Sequence, residues 1–361
     1  MGFSIADFDY RLPDERIAQT PIAPRDAARL LVDRGDQGVD HRHVRDLPDL
    51  LQPGDLLVVN DTRVIPARLA LRRTTGGSAE VLLLEPLDPR RSRWEALVRP
   101  GGKLRIGEAL VAPGDGGVDV AVVRMGERTA AGDTFEVEIL GADDPMETVT
   151  RHGEMPLPPY IGTRLDDPER YQTVYAAEPG SAAAPTAGLH LTPEVFDRLA
   201  ERGVSTATVE LVVGLDTFQP ISTPDPLDHP MHTERYRVPE ATWEACRATR
   251  EAGGRVVAVG TTAVRALESA AARGELAGRT DLFISRGFDW TTVDVLMTNF
   301  HLPATTLLMM IDAFIGPRWR HLYEVALDEG YRFLSFGDAM LLERSVVEAA
   351  GDAPADAGST S

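Results

Sequence analysis

The sequence predicts an α/β protein, a mixed sheet layered with helices, into which a small all-β module (most simply a barrel) is inserted. Three observations carry that prediction. Residues 66–155 hold short alternating or apolar runs at 80–84, 94–98, 118–123 and 134–140, separated by glycine turns with no helical period between them. From about 156 onward, helix and strand patterns alternate. A strand pattern at 55–59 precedes the module, so the α/β layer is split around it. The expected division is 1–65 with 156–350 for the α/β part, 66–155 for the barrel, and a small, polar, disordered tail at 351–361.

In chain order, a short helical stretch is expected near 14–19, and Pro53-Gly54 turns the chain into the 55–59 strand. Beyond the barrel, Thr192-Pro193 starts a helix that Gly203 ends, and 204–213 reads as a strand. A helix at 242–251, a buried strand at 255–259 and a helix at 263–272 follow. The run 293–297 is a strand leading to a helix at 303–315, where Pro303 suits the first turn because its missing N–H costs nothing there. That helix is too apolar to face water, with 307–311 unbroken hydrocarbon. A strand at 331–336 and a helix at 338–349 close the pattern, and no internal repeat is present.

The 361 residues, 43% apolar and 26% charged, are those of an ordinary globular protein. The first residues lack the basic head and apolar core of a secretory signal, and the longest apolar run, broken by Asp312, is far short of a membrane span. Cytoplasm is the default compartment, with no membrane partner. One cysteine, Cys246, excludes an internal disulfide and any cysteine-based metal site. The net charge of −19 weighs against a nucleic-acid partner, because phosphates need cations. Against that, 62–105 carries ten basic residues and four acidic ones, and includes the chain's single lysine, Lys103. This stretch is either a phosphate-facing patch or a solvated face.

Four polar clusters fall just beyond a strand or just before a helix. Asn60, Asp61 and Arg63 end the 55–59 strand at the entry to the barrel, where they line a pocket or make an ion pair. Gly188 and His190 follow a small-residue tract, 176–187, that reads as a mobile lid or a plain linker. Gly260, Thr261, Thr262, Arg265 and Glu268 make a strand–turn–helix junction. Such a junction binds a carboxylate or phosphate, or is simply a threonine cap with an ion pair. Asn299 and His301 stand at the mouth of the 303–315 helix, beside unpaired N–H groups. If the strands run roughly parallel, all four clusters converge on one edge of the sheet. His229 and His232 are three apart, but Pro230 opposes metal-ligand geometry and no third ligand is evident.

Together these stretches resemble the S-adenosylmethionine:tRNA ribosyltransferase-isomerase family of the queuosine pathway. The matching segments are Leu12-Pro13-Asp14-Glu15, 60–68, Met155-Pro156-Leu157-Pro158-Pro159-Tyr160-Ile161, Tyr171-Gln172-Thr173-Val174-Tyr175 and 184–190. Thr217-Phe218-Gln219-Pro220, Met231-His232-Thr233-Glu234, 259–269, 298–303 and Gly337-Asp338-Ala339-Met340 continue the series in order. The resemblance implies an α/β domain with an inserted β-barrel. It also implies transfer of the ribosyl part of S-adenosylmethionine, a co-substrate, onto 7-aminomethyl-7-deazaguanine in the anticodon region of tRNA. Epoxyqueuosine, adenine and methionine are the implied products, and no metal is required.

Roles follow from the chemistry so implied. The general base would be His190, His232 or His301. Thr261, Thr262 and Arg265 would hold the methionine carboxylate or a phosphate. Asn299 would meet adenine or a ribose hydroxyl, and Asp61 and Arg63 the nucleobase. Asn60, Gly188 and Glu268 complete the expected substrate-binding set. Three positions depart from the family pattern: Val212 and Glu154, where histidine is usual, and Asp216, where glycine is usual. They leave room for a relative acting on a free deazapurine or another small amine, or for a silent RNA-binding paralogue. An ordinary methyltransferase lacks support, because no Gly-x-Gly turn follows an early strand. A monomer is the favoured state.

Overall fold

A computed structural model describes residues 4–114, 117–129, 132–213 and 233–345. Its main sheet has nine strands in the order Ala277–Thr280, Glu234–Arg237, Ser205–Leu211, Leu56–Asn60, Val256–Val259, Val295–Asn299, Ala339–Glu343, Arg29–Asp33, Val39–His43. The four strands from Ser205–Leu211 to Val295–Asn299 are mutually parallel. Antiparallel neighbours flank them on both sides. Every residue of Leu56–Asn60, Val256–Val259 and Val295–Asn299 is buried, which is why these strands read as continuous apolar runs.

The pleat sorts their side chains into two cores. Val58, Val256, Ala258 and Leu296 face one layer, with helices Glu240–Glu251, Thr261–Arg273, Thr306–Ile315 and Trp319–Asp328. Leu57, Val59, Val257 and Met297 face the other, against Val195 and Leu199 of helix Pro193–Glu201. The buried Asp312 of the apolar helix is held by Arg286 at 2.5 and 2.9 Å and by Trp319 Nε1 at 2.9 Å. Among the described residues, no helix is long and apolar enough to cross a membrane.

The second sheet closes on itself. Strands Arg68–Arg73, Ser78–Pro86, Arg93–Arg99, Phe135–Ile139, Asp119–Arg128 and Ala109–Pro113 pair in that order, and the last returns to the first to form a six-stranded antiparallel barrel. Trp94, Leu83, Val123 and Val137 fill it. One end of the barrel meets the α/β layer, where Arg279 grips Glu85 at 2.6 and 2.7 Å and Arg91 donates to the Pro179 carbonyl at 3.0 Å.

Several sequence expectations change. The 303–315 helix starts only at Thr306, capped by the Thr305 hydroxyl, so Pro303 lies outside it and Asn299 and His301 are not at its mouth. No strand forms at 331–336; Leu334 has φ +68° and turns the chain, leaving only a bridge between Phe333 and Ile17. Ala339–Glu343 is a strand rather than the start of a helix. The 14–19 stretch is a single turn of 3₁₀ helix, Asp14–Arg16. The expected tail at 351–361 lies outside the described residues.

Candidate active site

Parallel strands bring their carboxyl ends to one edge, and a cleft opens there. Tyr160, Thr186, Gly260, Thr262, Asn299 and His301 line it together with Ala187, Val213, Thr298, Thr305 and Ser335. Its space, open mouth included, is about 610 Å³. Two of the three non-glycine residues with left-handed backbone among those described, Ala304 (φ 55°) and Leu334 (φ 68°), flank this cleft. Such conformations cost energy and persist where the surroundings impose them.

The strand–turn–helix junction forms the cleft floor. Gly260 has φ +85°, a value that side chains resist, and it turns the end of Val256–Val259 straight into helix Thr261–Arg273. No side chain caps that helix, so its first N–H groups point out beside the threonines. The Thr262 hydroxyl is buried without any hydrogen-bond partner. One turn on, the 5% exposed Arg265 uses one guanidinium nitrogen on Glu234, while its Nε and other terminal nitrogen are buried and unbonded. Buried donors without acceptors beside a helix N-terminus suit an anion.

The opposite wall is a hydrogen-bonded network centred on Asn299. Its Oδ1 accepts from the Thr186 hydroxyl at 2.9 Å, while Nδ2 donates to His190 Nε2 at 3.1 Å and to the Asp338 carbonyl at 3.3 Å. Asp338 in turn accepts from the Arg29 and Arg332 backbone N–H groups. His190 is pushed down to about 3 by burial and by the nearby Arg332 and Arg25 charges. His301 pairs with the Thr298 hydroxyl through Nε2 at 3.0 Å, and burial pushes it down to about 3 as well. Both rings are therefore neutral at physiological pH, and their low proton affinity makes them weak bases, which fits hydrogen bonding better than proton abstraction. His301 borders the cleft; His190 borders a smaller neighbouring cavity with Arg25 and Arg170.

Other expected site residues are placed differently. Asn60 is wholly buried and clips two strands together, donating to the Leu211 carbonyl at 3.1 Å and accepting from Thr62 and Leu211 N–H groups. Glu268 accepts four hydrogen bonds from the loop at Thr291, Thr292 and Val293, so it braces that loop rather than a substrate. Arg63 is taken by Glu169 at 2.6 Å, away from the cleft. Gly188 packs so closely on Tyr175 that a methyl there would overlap the tyrosine hydroxyl. The 176–187 tract is no lid: Glu178–Ser181 pairs in parallel with Thr62–Val64, and Ala182, Ala183 and Ala184 are buried.

Asp61, one residue beyond strand Leu56–Asn60, keeps Oδ1 buried and unbonded. Burial raises its pKa, and Glu210 and Glu178 add to that, opposing the Thr208 hydrogen bond. His232 and Asp216 lie outside the described residues. Val212 lines a second cavity beside Glu178 and Arg237, and Glu154 is exposed in a two-residue strand on the barrel. Among the described residues no cluster of His, Cys, Asp or Glu could hold a metal ion. Ser335 and Thr305 were missed, because nothing in their local sequence separates them from ordinary turn and cap residues.

A family model described as queuosine biosynthesis protein matches residues 5–342. A Symbiobacterium thermophilum protein named S-adenosylmethionine:tRNA ribosyltransferase-isomerase is 51% identical over 347 residues, covering 94% of this chain and 99% of that protein. A Synechococcus elongatus protein of the same name is also 51% identical, over 345 residues, with 93% and 94% covered. A crystal structure of S-adenosylmethionine tRNA ribosyltransferase from Thermotoga maritima is 39% identical and covers 93% of this chain and 99% of that one, with a TM-score of 0.53.

Proposed function

Because the chain belongs to the queuosine biosynthesis protein family, we propose that it transfers and isomerises the ribosyl moiety of S-adenosylmethionine onto 7-aminomethyl-7-deazaguanine in tRNA. Epoxyqueuosine is the product, and adenine and methionine leave. The observation that carries this reading is the identity of about half of all residues with relatives so named, sustained over 94% of the chain. It outweighs the departures at Val212, Asp216 and Glu154. We take the acceptor nucleotide to be the one at the wobble position of the anticodon.

The chemistry assigns work to the residues described. A sulfonium acidifies the neighbouring C5′–H, so a base generates an ylide and loosens adenine. The aminomethyl nitrogen then bonds to C1′, and epoxide closure expels methionine. S-adenosylmethionine carries one carboxylate, and the Thr262 hydroxyl, the free Arg265 nitrogens and the open helix start supply buried donors for it. Asn299 acts as a positioning residue, since its amide is committed to Thr186, His190 and Asp338. Neutral His190 and His301 hold the wall in place.

As the base we propose Asp61, whose Oδ1 is buried and unbonded at the entry to the barrel and whose proton affinity is raised by burial. Its active form is the carboxylate, so activity falls as pH drops through its pKa. Asp61→Asn is expected to lose adenine release by at least a hundredfold while still binding S-adenosylmethionine. Adenine release that survives in Asp61→Asn but is lost in His232→Ala would move the role to His232.

A further inference from the structure

The barrel carries a loop with three exposed cations that form no ion pair among the described residues. Most arginines on its strands are matched by carboxylates: Arg72 with Asp119, Arg73 with Glu108 and Arg93 with Glu136, each at 2.6 Å, and Arg68 with Glu80 at 3.3 Å. The loop after strand Arg93–Arg99 breaks this rule. Arg99, Lys103 and Arg105 are exposed, and among the described residues their side chains make no hydrogen bond or ion pair; Arg105 feels the Glu108 carboxylate only at longer range, since Arg73 and the Arg105 backbone N–H already hold it. Arg99 stands across the ladder from Glu80, whose carboxylate is already taken by Arg68. In a chain of net charge −19, three unpaired cations within seven residues are not explained by the fold.

The loop is built to hold these charges outward. Its 3₁₀ turn Gly101–Lys103 rests on the Phe135 ring, where a side chain at Gly101 would crowd the aromatic edge. Leu104 tucks against the barrel core, while Ile106 is 73% exposed beside the cations. The loop also sits at the far end of the barrel. Glu85 marks the end against the α/β layer, and Glu80, opposite Arg99, lies five residues up the same strand, roughly 17 Å away. A ligand touching both this loop and the cleft is therefore longer than a lone nucleobase, and the three cations suit a polyanion.

We propose that the loop 99–106 binds the phosphate backbone of tRNA outside the modified nucleotide, with Arg99, Lys103 and Arg105 as phosphate contacts and Ile106 packing on a sugar or base. This rests on tRNA being the acceptor. Phosphate contacts of this kind supply affinity and register without reading sequence. They favour full-length tRNA over a free deazapurine, and they place the barrel in the role of a docking arm for the RNA.

Lys103 is the chain's only lysine, so an amine-reactive reagent marks this loop and otherwise only the α-amino group. Saturating tRNA is expected to slow labelling of Lys103 severalfold in the unmodified enzyme, while S-adenosylmethionine alone leaves it unchanged. The combined Arg99→Gln, Lys103→Gln, Arg105→Gln variant is expected to weaken tRNA binding by about tenfold or more. It should also lower the slope of log affinity against log salt by roughly two to three. The KM for S-adenosylmethionine and the kcat at saturating tRNA should hold. Arg93→Gln, which removes an already paired charge, is the control and should change the slope by less than one. Unprotected Lys103, an unchanged salt slope, or an equal loss in the control overturns the proposal. If the wild-type enzyme modifies tRNA and these results still fail, only the docking loop falls; if it modifies no tRNA, the functional reading falls first.

Discussion

Thr262 illustrates how single atoms carry the account. Its hydroxyl is buried and unbonded, a state that costs about 1–3 kcal/mol unless a ligand completes it. Thr262→Val keeps the shape and removes that oxygen. The variant is expected to melt at the same temperature or slightly higher, yet to show a KM for S-adenosylmethionine raised roughly tenfold or more. An unchanged KM would mean that the hydroxyl faces no substrate. Arg265 was legible as a candidate from the strand–turn–helix junction, where helical spacing sets it one turn from Glu268. Its neighbour Glu268 was misjudged, because the same spacing does not reveal that the 291–293 loop claims the carboxylate. Asn60 failed for a similar reason. A polar residue at a strand end looks like a ligand contact until the adjoining strand is seen to take both ends of its amide.

At the scale of elements, the cleft depends on the turn Thr186–His190 docking onto the end of Val295–Asn299 through the His190–Asn299 bond, and on His301 holding the next loop. Both imidazoles are buried in the neutral form. In the unfolded chain each binds a proton below about pH 6.5, whereas the folded values lie near 3. The unfolded state therefore holds more protons across that window. Stability should be intact above pH 6.5 and fall by about 1.4 kcal/mol per pH unit for each ring as pH drops toward 3. Urea unfolding at pH 7, 6, 5 and 4 checks this. In His190→Gln the slope should drop by one proton's worth, and equal slopes in both proteins would show that His190 is not neutral by necessity.

Element boundaries were readable where local chemistry is unambiguous. Thr192-Pro193 caps and opens Pro193–Glu201, and Gly260 fixes the junction before Thr261–Arg273. Ala339–Glu343 was misread because a short apolar run suits helix and strand alike, and its pairing with Val295–Asn299 and Arg29–Asp33 decides the matter. That decision is made by residues some 40 and 300 positions away.

For the whole molecule, the fold class was legible from texture: glycine-punctuated short strands inside an alternating α/β chain give a closed barrel set into a mixed sheet. Convergence was legible for two of the four clusters, since 260–262 and 299–301 line the cleft, while 60–63 and 188–190 are engaged outside it. The cleft draws on segments from 160 to 335, brought together by the parallel core and by the antiparallel strand Ala339–Glu343. Charge was the least legible property. Of the ten cations over 62–105, Arg68, Arg72, Arg73 and Arg93 pair with carboxylates across the barrel wall and Arg63 with Glu169, whereas among the described residues Arg90, Arg91, Arg99, Lys103 and Arg105 form no ion pair. Pairing across strands is a tertiary fact that counting along the chain cannot supply. The acidic net charge therefore does not argue against an RNA substrate, because a few unpaired cations at the right place set the local field.

The most direct measurement supplies the enzyme and deazaguanine-containing tRNA with S-adenosylmethionine labelled either in its ribose carbons or in its methyl group, then weighs the modified nucleoside. Ribose label is predicted to enter the tRNA, with one adenine and one methionine released per transfer and the methyl label leaving in methionine. Methyl label in the tRNA, or adenine released without any gain of ribose carbon, would contradict the account.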